Sequence, residues 1–288
     1  MRRQTTRRLS PRLNLLYRAG EATDLRVAFG EYYQAQEINE LQVSDGVFDF
    51  HPAQRAQHLV ASVEHGFESG MELRLEAYRK KYRSLMPRFE NVFDSLVLIP
   101  ELQLDRVRID AESAISDGVE LSLTGAGADD LSWWASYSWS RTEDRVAGTS
   151  TRRGWDQTHA INSGFSMDWR DWSFSAAAIV RTGWPKTVLQ AETVQNPDGS
   201  ASLNVVAEPR NSRRHSLFGS LDARVSRNFD LPRGDLTLFL EVTNLTNRKN
   251  ACCTEYAVRL DENGDPVLEA SESDWLPIVP SLGIVWRF

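Results

Sequence analysis

No run of apolar residues in this sequence approaches the roughly 20 that a membrane-crossing helix needs. Cysteine is nearly absent: Cys252 and Cys253 are the two present, and they are adjacent. They cannot staple a long loop to each other, and no metal-ligand spacing surrounds them. The five histidines, His51, His58, His65, His159 and His215, form no H-E-x-x-H pair or other zinc spacing. There is no G-x-S-x-G elbow and no phosphate-binding loop. No nucleophile, base or acid pair points to an enzyme, and no cofactor or metal is expected. No apolar stretch follows the basic start, so the sequence carries no recognisable secretion signal.

Positive charge is also in deficit. The formal net charge is -7, which argues against nucleic acid as a partner. Arg2, Arg3, Arg7, Arg8 and Arg12 cluster at the start. Residues 1–10 read as a solvated basic tail, with anionic lipid or nucleic acid as the alternative contact. Mean hydropathy is -0.43. That value does not exclude a membrane, because a transmembrane barrel shows lipid only every second residue.

What the sequence has is period two. Leu13, Leu15 and Tyr17 alternate, as do Leu25, Val27 and Phe29, and Leu59, Ala61 and Val63. Val119, Leu121 and Leu123 follow, then Trp133, Ala135, Tyr137 and Trp139. Further sets run through Trp172 to Val180, Leu217 to Val225, and Leu236 to Val242. Each set occupies one face of a strand. The opposite faces carry Arg26, Glu72, Arg74, Glu76, Glu120, Asp222, Arg224, Glu241 and Arg287. A soluble sandwich alternates too, so alternation alone leaves both architectures open.

The connections separate them. Short ones (19–23, 68–70, 126–130, 168–171, 231–234) alternate with long ones (37–54, 83–116, 144–157, 183–214, 248–276). Tight turns on one side and long loops on the other are the pattern of outer-membrane barrels. A Greek-key sandwich has no reason to sort its loops this way. The count is about eleven strands, each near the roughly 9–11 residues that cross a membrane. Trp169, Trp172 and Trp286 fall at one end; Trp139, Trp155 and Trp184 fall at the other, as interfacial girdles do. The stretch "MELRLEAYRKKYRSL" is rich in helix formers. Its place inside a meander predicts a strand.

Several stretches, taken in order, resemble the barrel of TonB-dependent outer-membrane receptors. "SPRLNLLYRAGEATDLRVAFGEYYQA" resembles a strand pair leading into a ligand loop. "GVELSLTG" with "WWASYSWSRTEDRV", and "RRGWDQTHAINSGFSMDWRDWSFSAAAIVRTGWP", are similar to later hairpins. "LFLEVTNLTNRKN" and the terminal "PSLGIVWRF" resemble the last two strands. The resemblance covers Ser10 to Phe288.

It implies an all-β, antiparallel, up-and-down transmembrane barrel segment over residues 11–288. That segment is like the C-terminal half of a 22-stranded barrel, with short periplasmic turns and long extracellular loops. It implies uptake of a bulky nutrient, such as a ferric siderophore, across the bacterial outer membrane. Coupling to TonB would run through a plug not seen in this sequence. A structural or adhesive barrel, or a truncated receptor, is the alternative. The partners implied are outer-membrane lipid, an unknown small-molecule ligand and the barrel-assembly machinery, which would read Leu282, Ile284, Trp286 and Phe288. Tyr32, Tyr33, Phe48, Phe50 and His51 are the candidate ligand residues, being aromatic and polar groups at a loop mouth. Cys252 and Cys253 are expected in the last extracellular loop as a vicinal disulfide.

Overall fold

The computed structural model describes residues 7–91, 99–103, 106–127 and 130–288. Eleven strands form one antiparallel sheet. They are β1 (Arg12–Arg18), β2 (Thr23–Gln34), β3 (Gln54–Gly66), β4 (Glu72–Arg83), β5 (Ser113–Ala126) and β6 (Ser132–Val146). Then come β7 (His159–Trp169), β8 (Trp172–Arg181), β9 (Phe218–Leu231), β10 (Gly234–Thr243) and β11 (Val279–Arg287). Each strand pairs with its neighbours in chain order. The expected meander is therefore the one observed. Thr149–Arg152 adds a short strand to the end of β6. Among the described residues, four small ladders lie within the long connections: Arg88–Asn91 with Arg106–Ile109, Pro185–Lys186 with Arg213–Arg214, Leu189–Gln195 with Ala201–Ala207, and Ala251–Leu260 with Pro266–Asp274. Among the described residues no helix is long and apolar enough to cross a membrane.

Register explains why the helix-prone segment is a strand. β4 pairs along its whole length with β3 on one side and β5 on the other. Ala77 lies between Ala61 and Val119, and Leu75 between Val63 and Leu121. A helix there would leave the facing edges of β3 and β5 unpaired, a larger cost than the small propensity difference.

The same register sorts the two faces. On one face Tyr17, Leu25, Val63, Leu75, Leu121, Tyr137, Ile161 and Val180 form a continuous row across eight strands. Met167, Phe174, Val225, Leu240 and Leu282 continue the apolar band. On the other face Arg26, Ser62, Glu76, Glu120 and Ser138 form one row, and Arg224, Glu241 and Ser281 another. Salt bridges tie this polar face together: Arg74 to Glu76 at 2.8 Å and Arg224 to Glu241 at 3.2 Å.

Burial decides between sandwich and barrel. Among the described residues, the buried hydrophobic ones are Leu41, Ile109, Ala111 and Ala114, all in or beside the long connections. The apolar band itself is open, with Leu282 84% and Ile284 71% exposed. A soluble chain of this length would bury a substantial core and would not leave so large an apolar face uncovered. A single-layered wall with lipid on one side and a polar lumen on the other requires neither.

β1 and β11 are the edges of the sheet. As first and last of an odd number of alternating strands, they run in the same direction. Joining them directly would need a parallel seam in an otherwise antiparallel sheet.

Residues 7–12 of the basic start are exposed. Arg2 and Arg3 lie outside the described residues. Arg12 opens β1, and its guanidinium sits 4.7 Å from the Tyr32 ring centre; Arg8 sits 4.9 Å from that of Tyr33. Cation–π contact holds the two groups against β2.

Candidate functional site

The long connections meet over one end of the sheet. Gly183 starts this assembly, because a Cβ there would lie 2.1 Å from the His215 carbonyl oxygen. Only glycine lets the two backbones approach this closely. The His215 N–H then donates to the Trp184 carbonyl at 2.9 Å, and Arg214 Nη1 donates to the Gly183 carbonyl at 2.9 Å. The hairpins dock on this base. Lys186 Nζ donates to Glu272 Oε1 at 2.5 Å, and the Leu189 N–H to the Tyr256 hydroxyl at 3.1 Å. Trp184 packs between Trp155 and Trp275 with ring centres 5.1 and 6.0 Å away. Trp155 and Trp184, expected as girdle residues, hold the loop roof together.

Two fully buried carboxylates anchor the roof. Asp144, at the end of β6, accepts from Arg153 at 2.6 Å and from Arg88. Arg210 joins this cluster, donating to Glu90 Oε2 at 2.6 and 3.0 Å, and Arg88 donates to Glu90 Oε1 at 2.7 Å. Asp156 accepts from Arg152 at 3.0 Å, from Arg214, and from the Thr142 N–H at 2.7 Å. Removing one partner from such a set leaves a buried charge uncompensated.

Part of the Asp144 cluster, Arg88, Glu90, Arg153 and Arg210, borders a cavity of about 300 Å³. Its wall includes Arg88, Arg153, Lys186, Arg210, Trp155 and His215. Burial, and then the charge of Lys186, hold His215 below the ordinary imidazole pKa. The hydrogen bond from Lys186 holds Glu272 below the usual carboxylate range.

The structure separates the residues expected to meet at the first loop mouth. Phe50 and His51 line a second cavity of about 280 Å³ with Met86, Phe89 and Arg108. Tyr32 and Tyr33 do not line it. They are successive residues of β2 and take opposite faces. Tyr32 stacks against His58 at 4.7 Å, and Tyr33 donates to Glu31. Phe48 is exposed. Cys252 and Cys253 lie in the last long connection, as expected, at a break in register between Ala251 and Cys253. This bulge brings the two Sγ atoms to 2.6 Å; no disulfide joins them in this structure.

Sequence reasoning missed Arg88, Arg153, Lys186, Arg210 and His215. Arg88 and Arg153 come from two different connections and Lys186, Arg210 and His215 from a third, and they share no local spacing. One signal was present: the arginine pairs of "TRRGW" and "NSRRH", each within a long loop.

An up-and-down sheet with an apolar outer face, a charged inner face and loops sorted by end is the wall of an outer-membrane-type β-barrel. Residues 2–245 match the family described as TonB dependent receptor-like, beta-barrel, and the chain belongs to that family. No curated protein sequence matches the chain. Among solved structures it is similar to the ferripyoverdine receptor of the outer membrane of Pseudomonas aeruginosa bound to ferripyoverdine. The TM-score is 0.57 at 13% identity, covering 97% of this chain and 33% of that one. The unliganded ferric citrate transporter FecA gives 0.57 at 15% identity, covering 96% and 38%. BauA, the ferric preacinetobactin receptor of Acinetobacter baumannii, gives 0.56 at 11% identity, covering 97% and 36%. The chain thus spans about a third of the length of these structures, and at such identities the likeness is one of fold.

Proposed function

We propose that this chain is the C-terminal half of the barrel of an outer-membrane receptor for TonB-coupled uptake of a bulky, iron-bearing chelate. The observation that carries this reading is the sheet itself: a charged inner wall, roofed at one end by interlocked long loops. A polar lumen under a ligand-sized roof suits passage of a solute. The proteins of similar fold are receptors or transporters named for ferripyoverdine, ferric citrate and ferric preacinetobactin. Edge direction supports a half-barrel. An odd number of further strands lets β1 and β11 both join antiparallel neighbours, and eleven more give an even, 22-stranded barrel. The apolar band contacts outer-membrane lipid, and coupling to TonB runs through a plug supplied elsewhere in the receptor.

The test is growth of an iron-starved bacterial strain lacking its own chelate receptors. It would express the complete reading frame containing these residues. A panel of ferric chelates is supplied, and uptake of labelled iron is measured. Uptake of at least one chelate is expected, abolished by loss of TonB and reduced by deleting 189–207. Uptake that is absent for all chelates, or independent of TonB, overturns the reading.

A further inference from the structure

We propose that the outward face of β2–β6, just beyond the apolar band, docks a phosphorylated glycolipid of the outer leaflet, with Arg55, Lys81 and Arg83 as the centre of the contact. The inference rests on the receptor reading only for the placement of the wall in the outer membrane; it involves no cargo.

Register puts these side chains on the lipid side. Three rows continue the apolar face toward the long connections. The first aligns Phe29, Leu59, Arg79, Asp117 and Arg141 across β2 to β6. The second aligns Glu31, Gln57, Lys81, Ile115 and Glu143. The third aligns Tyr33, Arg55, Arg83, Ser113 and Arg145. Side chains alternate along each strand, so all three rows share the face of Val27, Ala61, Ala77 and Val119. Arg79, Lys81 and Arg83 are exposed there.

Charge calls for an anion. Asp117 accepts from Arg79 at 2.7 and 3.0 Å, Glu31 pairs with Arg55 at 2.8 Å, and Glu143 with Arg141 at 2.6 Å. Those pairs use every carboxylate in the rows. Lys81, Arg83 and Arg145 are left over. Arg145 reaches Glu112 at 3.5 Å, but both side chains are more than half exposed, so that pair contributes little. Among the described residues Lys81 and Arg83 have no ion pair. Arg83 also stands directly across from Arg55, and like charges so placed repel. Arg8, stacked on Tyr33, adds another cation to the third row. The excess is local. The chain as a whole carries -7, and the inner face of β2–β5 sets Asp24, Glu64, Glu72, Glu76 and Glu120 against Arg26, Arg74 and Lys80. Cations are gathered on the outside of the wall, at one end.

Height selects the lipid. A strand rising about 3.3 Å per residue and tilted about 45° climbs roughly 2.4 Å per residue across the membrane. Leu59 and Phe29 end the apolar face of β3 and β2, level with Arg79. Lys81 and Arg83 then stand about 5 and 10 Å above that level. The polar layer of a bilayer is about 5–8 Å deep on each side. The third row therefore clears an ordinary phospholipid head group and meets phosphates carried higher, on sugars. Guanidinium forks and a lysine point charge both suit phosphate oxygens. The long connections rise from this end, so the leaflet is the outer one.

The experiment uses the complete receptor, purified from outer membranes and stripped of lipid in detergent. Lipid A bearing two phosphates, the same lipid after removal of its phosphates, and phosphatidylglycerol are titrated separately. Bound lipid is counted by native mass spectrometry. Saturable binding of phosphorylated lipid A is expected, about tenfold or more tighter than either of the others. The double variant Lys81→Gln with Arg83→Gln should weaken it about tenfold. Lys81→Arg should retain binding, and so should Lys80→Gln, next in the chain but on the inner face. Heat-modifiable migration confirms that each variant is folded; the comparison of the two forms of lipid A needs no variant at all. Equal binding with and without phosphates overturns the proposal, as does undiminished binding by the folded double variant. Phosphatidylglycerol binding as tightly as lipid A overturns the assignment to a glycolipid. If lipid A binds as expected while no ferric chelate is taken up, the receptor reading fails and this contact stands. If uptake proceeds while removal of the phosphates changes nothing, this proposal fails alone.

Discussion

Tyr78 on β4 lies directly across from Gly118 on β5, and its ring occupies the space where a side chain at Gly118 would begin. A Cβ there would fall 2.4 Å from Tyr78 Cζ. The same relation recurs between Phe239 and Gly283, where the separation would be 2.1 Å. Aromatic rings laid over strand glycines cover bare backbone and fix register in curved sheets. Gly118→Val should therefore cost about 1–3 kcal/mol through overpacking. Gly66→Ala, on β3 with nothing within 4 Å, should be near neutral. Urea unfolding of the receptor in lipid vesicles checks both. Equal stability of Gly118→Val and wild type would show that the ring moves aside without cost.

Leu240 and Glu241 test the assignment of faces. Leu240 pairs across the sheet with Val225 and Leu282 on the apolar face. Glu241 points the other way and accepts from Arg224 at 3.2 Å. Leu240→Arg should cost about 2–4 kcal/mol if it sits near the bilayer midplane. Glu241→Arg should cost clearly less, since a polar lumen solvates the new charge. A larger loss for Glu241→Arg would reverse the assignment.

Acid should loosen the roof before the wall. His215 is held below its ordinary pKa, so the folded roof resists protonating it. That penalty is absent above the unfolded value of about 6.5 and grows as pH falls below it. Glu272 has its pKa lowered by Lys186, so its stabilising effect is present above the ordinary carboxylate value. It is lost as pH falls through the lowered folded value. Limited proteolysis of the loops should accelerate between about pH 7 and 5. The acceleration should be blunted in His215→Gln. Identical pH profiles for both proteins would remove His215 as its cause.

The wall was legible in the sequence and the roof was not. The wall follows from two solvents, one on each face, which force alternate residues such as Leu240 and Glu241 apart in character. Loop lengths then gave the meander. The roof is built from contacts that no local pattern encodes: Arg210 and Glu90 are 120 residues apart. Tyr32 and Tyr33 show the cost of reading composition without direction. Both are aromatic and near a loop, yet period two sends them to opposite faces. Phe50 and His51, in irregular backbone, do share a cavity.

Cys252 and Cys253 offer a redox test. Adjacent residues in a regular strand point to opposite faces. The bulge after Ala251 removes that separation and brings the sulfurs together. Passage through an oxidising periplasm should then join them as a vicinal disulfide. Intact mass after alkylation without reductant should show no added groups, and two after reduction. Two alkyl groups added before reduction would exclude the bond.

Phe288 is the last residue of the sequence and is 97% exposed, beside Trp286 with ring centres 5.6 Å apart. Leu282, Ile284 and Trp286 share its face, and through register they meet Leu240, Leu238 and Leu236 on β10. Among the described residues no partner within the sheet covers Phe288, so its removal should cost the folded wall little. A large effect would therefore report on insertion rather than on stability. We expect deletion of Phe288 to lower the amount of folded receptor in the outer membrane several-fold, since the resemblance noted above implies that the assembly machinery reads this strand end. Urea resistance of the protein that does insert should be unchanged. Val285→Ala, on the opposite face of β11, serves as the control and should insert normally. If the Phe288 deletion inserts as well as wild type, with the same heat-modifiable migration, the terminal aromatic is membrane surface and carries no address.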